Sequence, residues 1–237
     1  MVMPRRRALV AAAVLSSELG FVAASAIGAE RAGPDLRERP VYVPGFSVGA
    51  RTGGGIPLGD RENVLGVGES FGSSANFSGI LPLWLDAGYR VSKLVYVGAY
   101  VQYGFLFVPE KNCPSPPIGC SAHDLRFGPS VHFHFVPDGA VDPWAGIGVG
   151  YEASTLTIHN DEQSATRTNR GFELANVQIG ADVHSMYGID WGPFLSFSFD
   201  AYRTETQTPP SGESKTYSLA PTLHYFLVIG ARVQFDL

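Results

Sequence analysis

Beyond its N-terminus this chain has no uninterrupted apolar run of about 20 residues, the length a membrane-crossing helix needs, so a helical span is excluded there. Charge is scarce as well. Asp, Glu, Lys and Arg make up 16% of the 237 residues, and the 22 acids outnumber the 17 bases. Proteins that hold nucleic acid through its phosphates carry a basic excess, so no nucleic-acid partner is expected. Cysteine is limited to two residues, too few for a disulfide-built scaffold or a cysteine-rich zinc module. No 3.6-residue apolar period recurs after the first 30 residues, which leaves strands as the repeating unit.

Glycine, at 28 copies, and aromatics, at 12%, are plentiful. The mean hydropathy of +0.05 fits apolar residues diluted by polar ones at alternate positions. Residues 1–29 read as a signal peptide: "MVMPRRR" is basic, "ALVAAAVLSS" apolar, and "ASAIGAE" offers small residues for cleavage. Cleavage after Ala29 removes Arg5, Arg6, Arg7 and Glu18, leaving 14 basic and 21 acidic residues and a formal charge of −7. Residues 30–44, with Pro34, Pro40 and Pro44, read as an extended periplasmic leader. Export favours a disulfide between Cys113 and Cys120 in "KNCPSPPIGCSAH".

From residue 45 onward, two-residue alternation dominates. In "DLRFGPSVHFHFV" Leu125, Phe127, Pro129, Val131, Phe133 and Phe135 share one face, while Asp124, Arg126, Gly128, Ser130, His132 and His134 share the other. Eight such runs are expected, near 46–58, 79–91, 94–108, 124–136, 143–158, 172–184, 191–204 and 221–237. Each is long enough to cross a bilayer as a tilted strand. The connections alternate between long polar stretches, such as "NDEQSATRTNRG" and "QTPPSGESKTYS", and brief turns such as "PDGAVD" and "MYGID". That alternation predicts an all-β, closed antiparallel up-and-down transmembrane β-barrel over residues 45–237, with long loops on the cell surface.

The faces decide between a soluble and a membrane barrel. Apolar positions such as Leu81, Leu83, Leu85, Val97, Val101, Leu195, Leu227 and Ile229 would make an oversized core for eight strands, so they are expected to face lipid. The opposite face carries a lumen ionic network of Arg51, Asp86, Arg90, Arg126, His132, His134, Glu152, Asp182, His184, Asp200 and Arg232. Trp84, Tyr96 and Tyr100 are expected to join it. Aromatics gather near both ends of the apolar face, for example Tyr89, Phe133 and Trp191 at the short turns and Phe105, Phe127 and Tyr225 at the long loops. They mark the two membrane interfaces. Pro82, Pro129 and Pro193 fall inside the runs, where bulges or strand ends are expected.

The closing strand "LVIGARVQFDL", with "DPWAGIGVGYE" and "WGPFLSFSF", resembles strands of the small OmpA- and OmpX-like bacterial outer-membrane barrels. The resemblance implies residence in the outer membrane. It also implies outer-membrane lipids and lipopolysaccharide as surroundings, and recognition of the C-terminal strand by the outer-membrane assembly machinery. The function expected is a structural or surface-interaction scaffold acting through its extracellular loops, with no enzyme activity. Two alternatives stay open: a lipid A-modifying acyl hydrolase or transferase, and an OmpW-like channel for a small hydrophobic molecule. His132, His134 and His184 have ligand chemistry but are read as hydrogen-bonded lumen residues, so no metal or other cofactor is expected. Alkylation of the denatured, unreduced exported protein should find no free thiol, and modification of Cys113 or Cys120 would refute their pairing.

Overall fold

The computed structural model describes residues 44–58, 77–110, 113, 118–160, 162–185 and 188–237. The expected signal peptide, nearly all of the leader, and residues 59–76 lie outside these. Among the described residues there are eight strands: β1 (Gly45–Leu58), β2 (Gly79–Ser92), β3 (Val95–Phe107), β4 (Gly119–His134), β5 (Val141–His159), β6 (Ser164–His184), β7 (Ile189–Thr208) and β8 (Lys215–Asp236). Each pairs antiparallel with the next, and β8 closes on β1, so the barrel has no open edge. Cys113 and Cys120 are joined by a disulfide.

The register fixes the width. Followed around the barrel, the pairing runs from Ser47 through Gly88, Gly98, Ser130, Gly148, Asn176, Ser198 and Phe226. It returns to β1 at Pro57, ten residues from where it began. With a rise of ~3.3 Å per residue and ~4.8 Å between strands, that stagger tilts eight strands by about 41° around a radius of about 8 Å. Side chains can fill such an interior. Crowding is visible at Gly88 and Gly98, where an added Cβ would lie 2.6 and 2.5 Å from the phenol of Tyr96. Side chains at these two positions would displace the tyrosine.

Alternation places the apolar set outside. Ile229, Phe46, Leu85 and Phe135 are each more than 60% exposed. On β8 the outward residues from Phe235 to Leu223 rise about 30 Å along the barrel axis at this tilt, close to the thickness of a bilayer's hydrocarbon core. No helix among the described residues is long and apolar enough to cross a membrane. The inward face is mainly polar. Among the polar residues lies a small apolar cluster that includes Ile80, Leu106, Phe194, Phe226 and Val228.

Three sequence expectations are corrected. First, two of the polar stretches read as long loops are strand. β6 begins at Ser164 and β8 at Lys215, so the outer connections of those hairpins are only 160–163 and 209–214. Thr155 Oγ1 meets Thr168 Oγ1 at 3.1 Å, and Thr206 Oγ1 meets Thr216 Oγ1 at 3.0 Å. Cross-strand threonine pairs carry the ladder beyond the apolar band, where polar faces are no obstacle to pairing. Second, Cys120 belongs to β4 and pairs with Ile158 rather than lying in a loop.

Third, the prolines do not sit at bulges. At Pro82 the β1–β2 pairing is interrupted between Thr52↔Leu83 and Gly55↔Ile80. At Pro129 the β4–β5 pairing is interrupted between Phe127↔Tyr151 and Ser130↔Gly148, and at Pro193 the β6–β7 pairing between Gly180↔Phe194 and Val183↔Trp191. In all three places the register is unchanged across the gap. A proline lacks one donor, so the ladder opens toward one neighbour while the pairing with the other neighbour continues. Thr52 Oγ1 donates to the freed carbonyl of Pro82 at 3.1 Å.

Closure leaves detergent no strand edge to attack. The folded protein should therefore run at a different apparent mass in SDS gels before and after boiling. Identical migration of both samples would count against a closed barrel.

Candidate functional site

Among the described residues the buried ionisable side chains gather in the lumen, which is built in tiers. Nearest the β5–β6 and β7–β8 hairpins, Arg126 of β4 is enclosed by carboxylates from four strands. Its guanidinium lies 2.6 Å from Asp124, 2.9 Å from Glu152, 3.2 Å from Asp200 and 3.6 Å from Glu173. Ser198 Oγ accepts from Arg126 Nη1 at 2.8 Å, and the guanidinium carbon sits 4.6 Å from the Phe226 ring centroid. His224 Nε2 meets Glu152 at 2.9 Å, and Tyr202 stacks on that imidazole at 4.0 Å. Tyr100 donates to Glu173 from across the barrel.

The next tier centres on Arg51, which donates to Asp86 at 2.8 and 2.5 Å and also to Gln178. Gln178 donates to Asn176 at 2.9 Å, and Asn176 donates to Glu173 at 2.6 Å, so this tier is tied to the Arg126 tier. Toward the short turns, Arg232 donates to Asp182 at 2.7 Å and stacks on Trp144 at 4.1 Å. His132 lies between Tyr96 and Trp144, 5.1 Å from each ring. His134 pairs with Asp142 and His184 with Asp190, both at 2.7 Å, and Arg90 approaches Asp236 at 3.9 Å. Arg51, Arg126 and Arg232 each combine a carboxylate partner with an aromatic face, which together compensate for a guanidinium removed from bulk water.

All eleven residues of the expected ionic network point into the lumen, but they form separate tiers rather than a single set. His184 is the least enclosed, with a quarter of its side chain exposed at the short-turn rim. Members of the site outside the expected network include Asp124, Asp142, Glu173, Asp190 and His224. Alternation puts Asp124 and His224 on the inward face, and their neighbours Arg126 and Glu152 are the available signal. Asp142 and Asp190 close the stretches "PDGAVD" and "MYGID", which read as turns in the sequence and yield their last residues to strands.

Glu173 is a different case. The register shift between Glu173 and Ala175 places Leu174 and Ala175 together at a bulge, so Glu173 and Asn176 both face inward despite opposite parity. A further irregularity lies between Tyr202 and Thr204, so the Arg126 tier is bordered by bulges on two neighbouring strands. No alternation rule reveals these positions in a single sequence.

A closed, staggered eight-stranded antiparallel barrel with a charged, packed lumen and an apolar exterior band belongs to the class of transmembrane barrels of the outer-membrane type. No protein-family model and no curated protein matches the sequence. Solved structures do match in fold. Neisserial surface protein A aligns over 83% of this chain and 100% of its own, with 13% identity and a TM-score of 0.50. A major outer membrane protein of Thermus thermophilus aligns over 82% of this chain and 100% of its own, at 13% identity and a TM-score of 0.49. The outer membrane protein OprG of Pseudomonas aeruginosa aligns over 81% of this chain and 97% of its own, at 14% identity and a TM-score of 0.45. At 13% identity the likeness to Neisserial surface protein A is one of fold alone.

Arg126 and Lys93 give contrasting tests of the lumen. Arg126→Ala strands buried carboxylates and should cost about 3–5 kcal/mol of stability in urea unfolding from detergent or lipid. Lys93 pairs with Asp138 at 2.9 Å, but both side chains are largely solvent-exposed, and Lys93→Ala should cost under about 1 kcal/mol. Equal losses from the two substitutions would contradict a buried ionic core.

Proposed function

We propose that this protein is an outer-membrane barrel that holds rigid hairpins above the cell surface as interaction elements, with a lumen too packed to serve as a general pore. One observation carries the reading: the lumen is filled at the Arg126 tier, while β5 to β8 continue past the apolar band as paired polar strands. Those four strands contain 19 to 22 residues, against 13 to 16 in β1 to β4. Among the described residues the wall is therefore taller on that side. Its hairpins are paired as far as His159–Ser164 and Gln207–Lys215, which lowers the entropic cost of docking a partner relative to an unpaired loop.

An acyl hydrolase or transferase working on outer-leaflet lipid is less well supported. The local His-Ser pair, His184–Ser185, sits at the short-turn end, where His184 bonds Asp190 and Ser185 Oγ accepts from the Ile189 amide at 3.3 Å. That is the rim away from the tall hairpins. An OmpW-like conduit would need a continuous path, and the Arg126 tier lies across it.

Epitopes inserted at 160–163 or 209–214 should bind antibody on intact cells, whereas one at 136–140 should need permeabilised cells. Purified protein in planar bilayers should give rare, small openings at most. Large steady conductance would replace the scaffold reading with a channel, and the opposite labelling pattern would reverse the orientation.

A further inference from the structure

Charge around Arg126 does not balance. One guanidinium faces four carboxylates, Asp124, Glu152, Glu173 and Asp200, which leaves three negative charges unmatched when His224 is neutral. All four acids are buried. Such a deficit cannot persist in a water-poor interior, so the cluster must take up positive charge from solution. One oxygen shows where. Asp200 Oδ1 is buried and accepts no hydrogen bond, although the Oδ2 atom of the same carboxylate is held by Arg126.

We propose that the lumen binds one divalent transition-metal ion of the zinc type between Glu152, Asp200 and His224. One donor atom from each of these residues lies within 4.8 Å of the other two. Zinc bonds of about 2.0–2.2 Å would draw them to roughly 3.4 Å apart, a shift that side-chain rotation supplies. Two carboxylates and an imidazole form a mixed oxygen and nitrogen set suited to such an ion. Asp200 can ligate through Oδ1 while its Oδ2 keeps Ser198 at 2.7 Å and Arg126 at 3.2 Å. These partners orient the carboxylate as outer-sphere groups do in metal sites. Tyr202, stacked on His224, fixes the plane of the imidazole. A divalent ion lowers the unmatched charge from three to one. The rival occupants are protons shared among the carboxyls, Asp124 and Glu152 being within hydrogen-bond reach of each other.

The test uses the barrel folded in detergent with cobalt or zinc and then freed of loose metal by gel filtration. The site predicts about one metal per chain by mass spectrometry, and a visible cobalt absorption that one equivalent of zinc abolishes. His224→Gln and Asp200→Asn each remove a direct ligand and should weaken retention by more than the roughly 100-fold that loss of an outer-sphere partner costs, while keeping heat-modifiable gel migration. A wild-type protein that retains no more zinc than either folded variant would overturn the proposal. If neither variant folds, the wild-type cobalt spectrum decides alone: its absence leaves the cluster to protons and the proposal fails.

Discussion

Arg126 and the acids around it express the constraint that shapes the whole molecule. In a soluble domain, charges reach water by pointing outward and the apolar side chains close on one another. Here the outside of the wall is apolar along the whole height of the band, so every ionisable side chain on the alternate positions must find its partners within a radius of about 8 Å. The partners come from strands far apart in sequence: β4, β5, β6, β7 and β8 all contribute to the Arg126 tier. The ionic core therefore depends on closure and register. A slip of one residue in any strand would turn its acids toward lipid.

The same constraint explains the irregularities. Bulges in β6 and β7 border the Arg126 tier and bring Glu173 and Asn176 to the same side of the wall, adding ligands that strict alternation would withhold. The prolines behave differently, because a missing donor needs only a local opening of the ladder and no change of register. Above the membrane the constraint lifts, and polar threonine pairs extend β5 to β8 into hairpins that lipid-facing strands could not form. One wall thus serves two solvents, changing its outward side chains where the bilayer ends.

Much of this was legible in the sequence, because an apolar outside and a charged inside write a period of two along the strand segments within the apolar band. Leu81, Leu83 and Leu85 against Trp84 and Asp86, or Val131 and Phe133 against His132 and His134, give fold and orientation together. Three features escaped it. Bulges reset the parity, which hid Glu173. Polar strands beyond the apolar band look like loops, because nothing apolar marks their outward face, which hid the first residues of β6 and β8. Pairings between strands are not encoded locally, so Arg126 could be placed in the lumen without its partners being known. The signal for His224 was present in its parity and became meaningful only beside Glu152.

Arg126 is locked in a buried ionic cluster rather than waving in a water-filled channel. Nuclear magnetic resonance of the guanidinium group in the folded barrel tests this most directly. The structure predicts resolved, slowly exchanging Arg126 protons with through-space contacts to Asp124, Glu152 and Ser198, each bonded to the guanidinium at 2.6–2.9 Å. A single averaged signal in fast exchange with water would show an open, hydrated lumen and contradict the account.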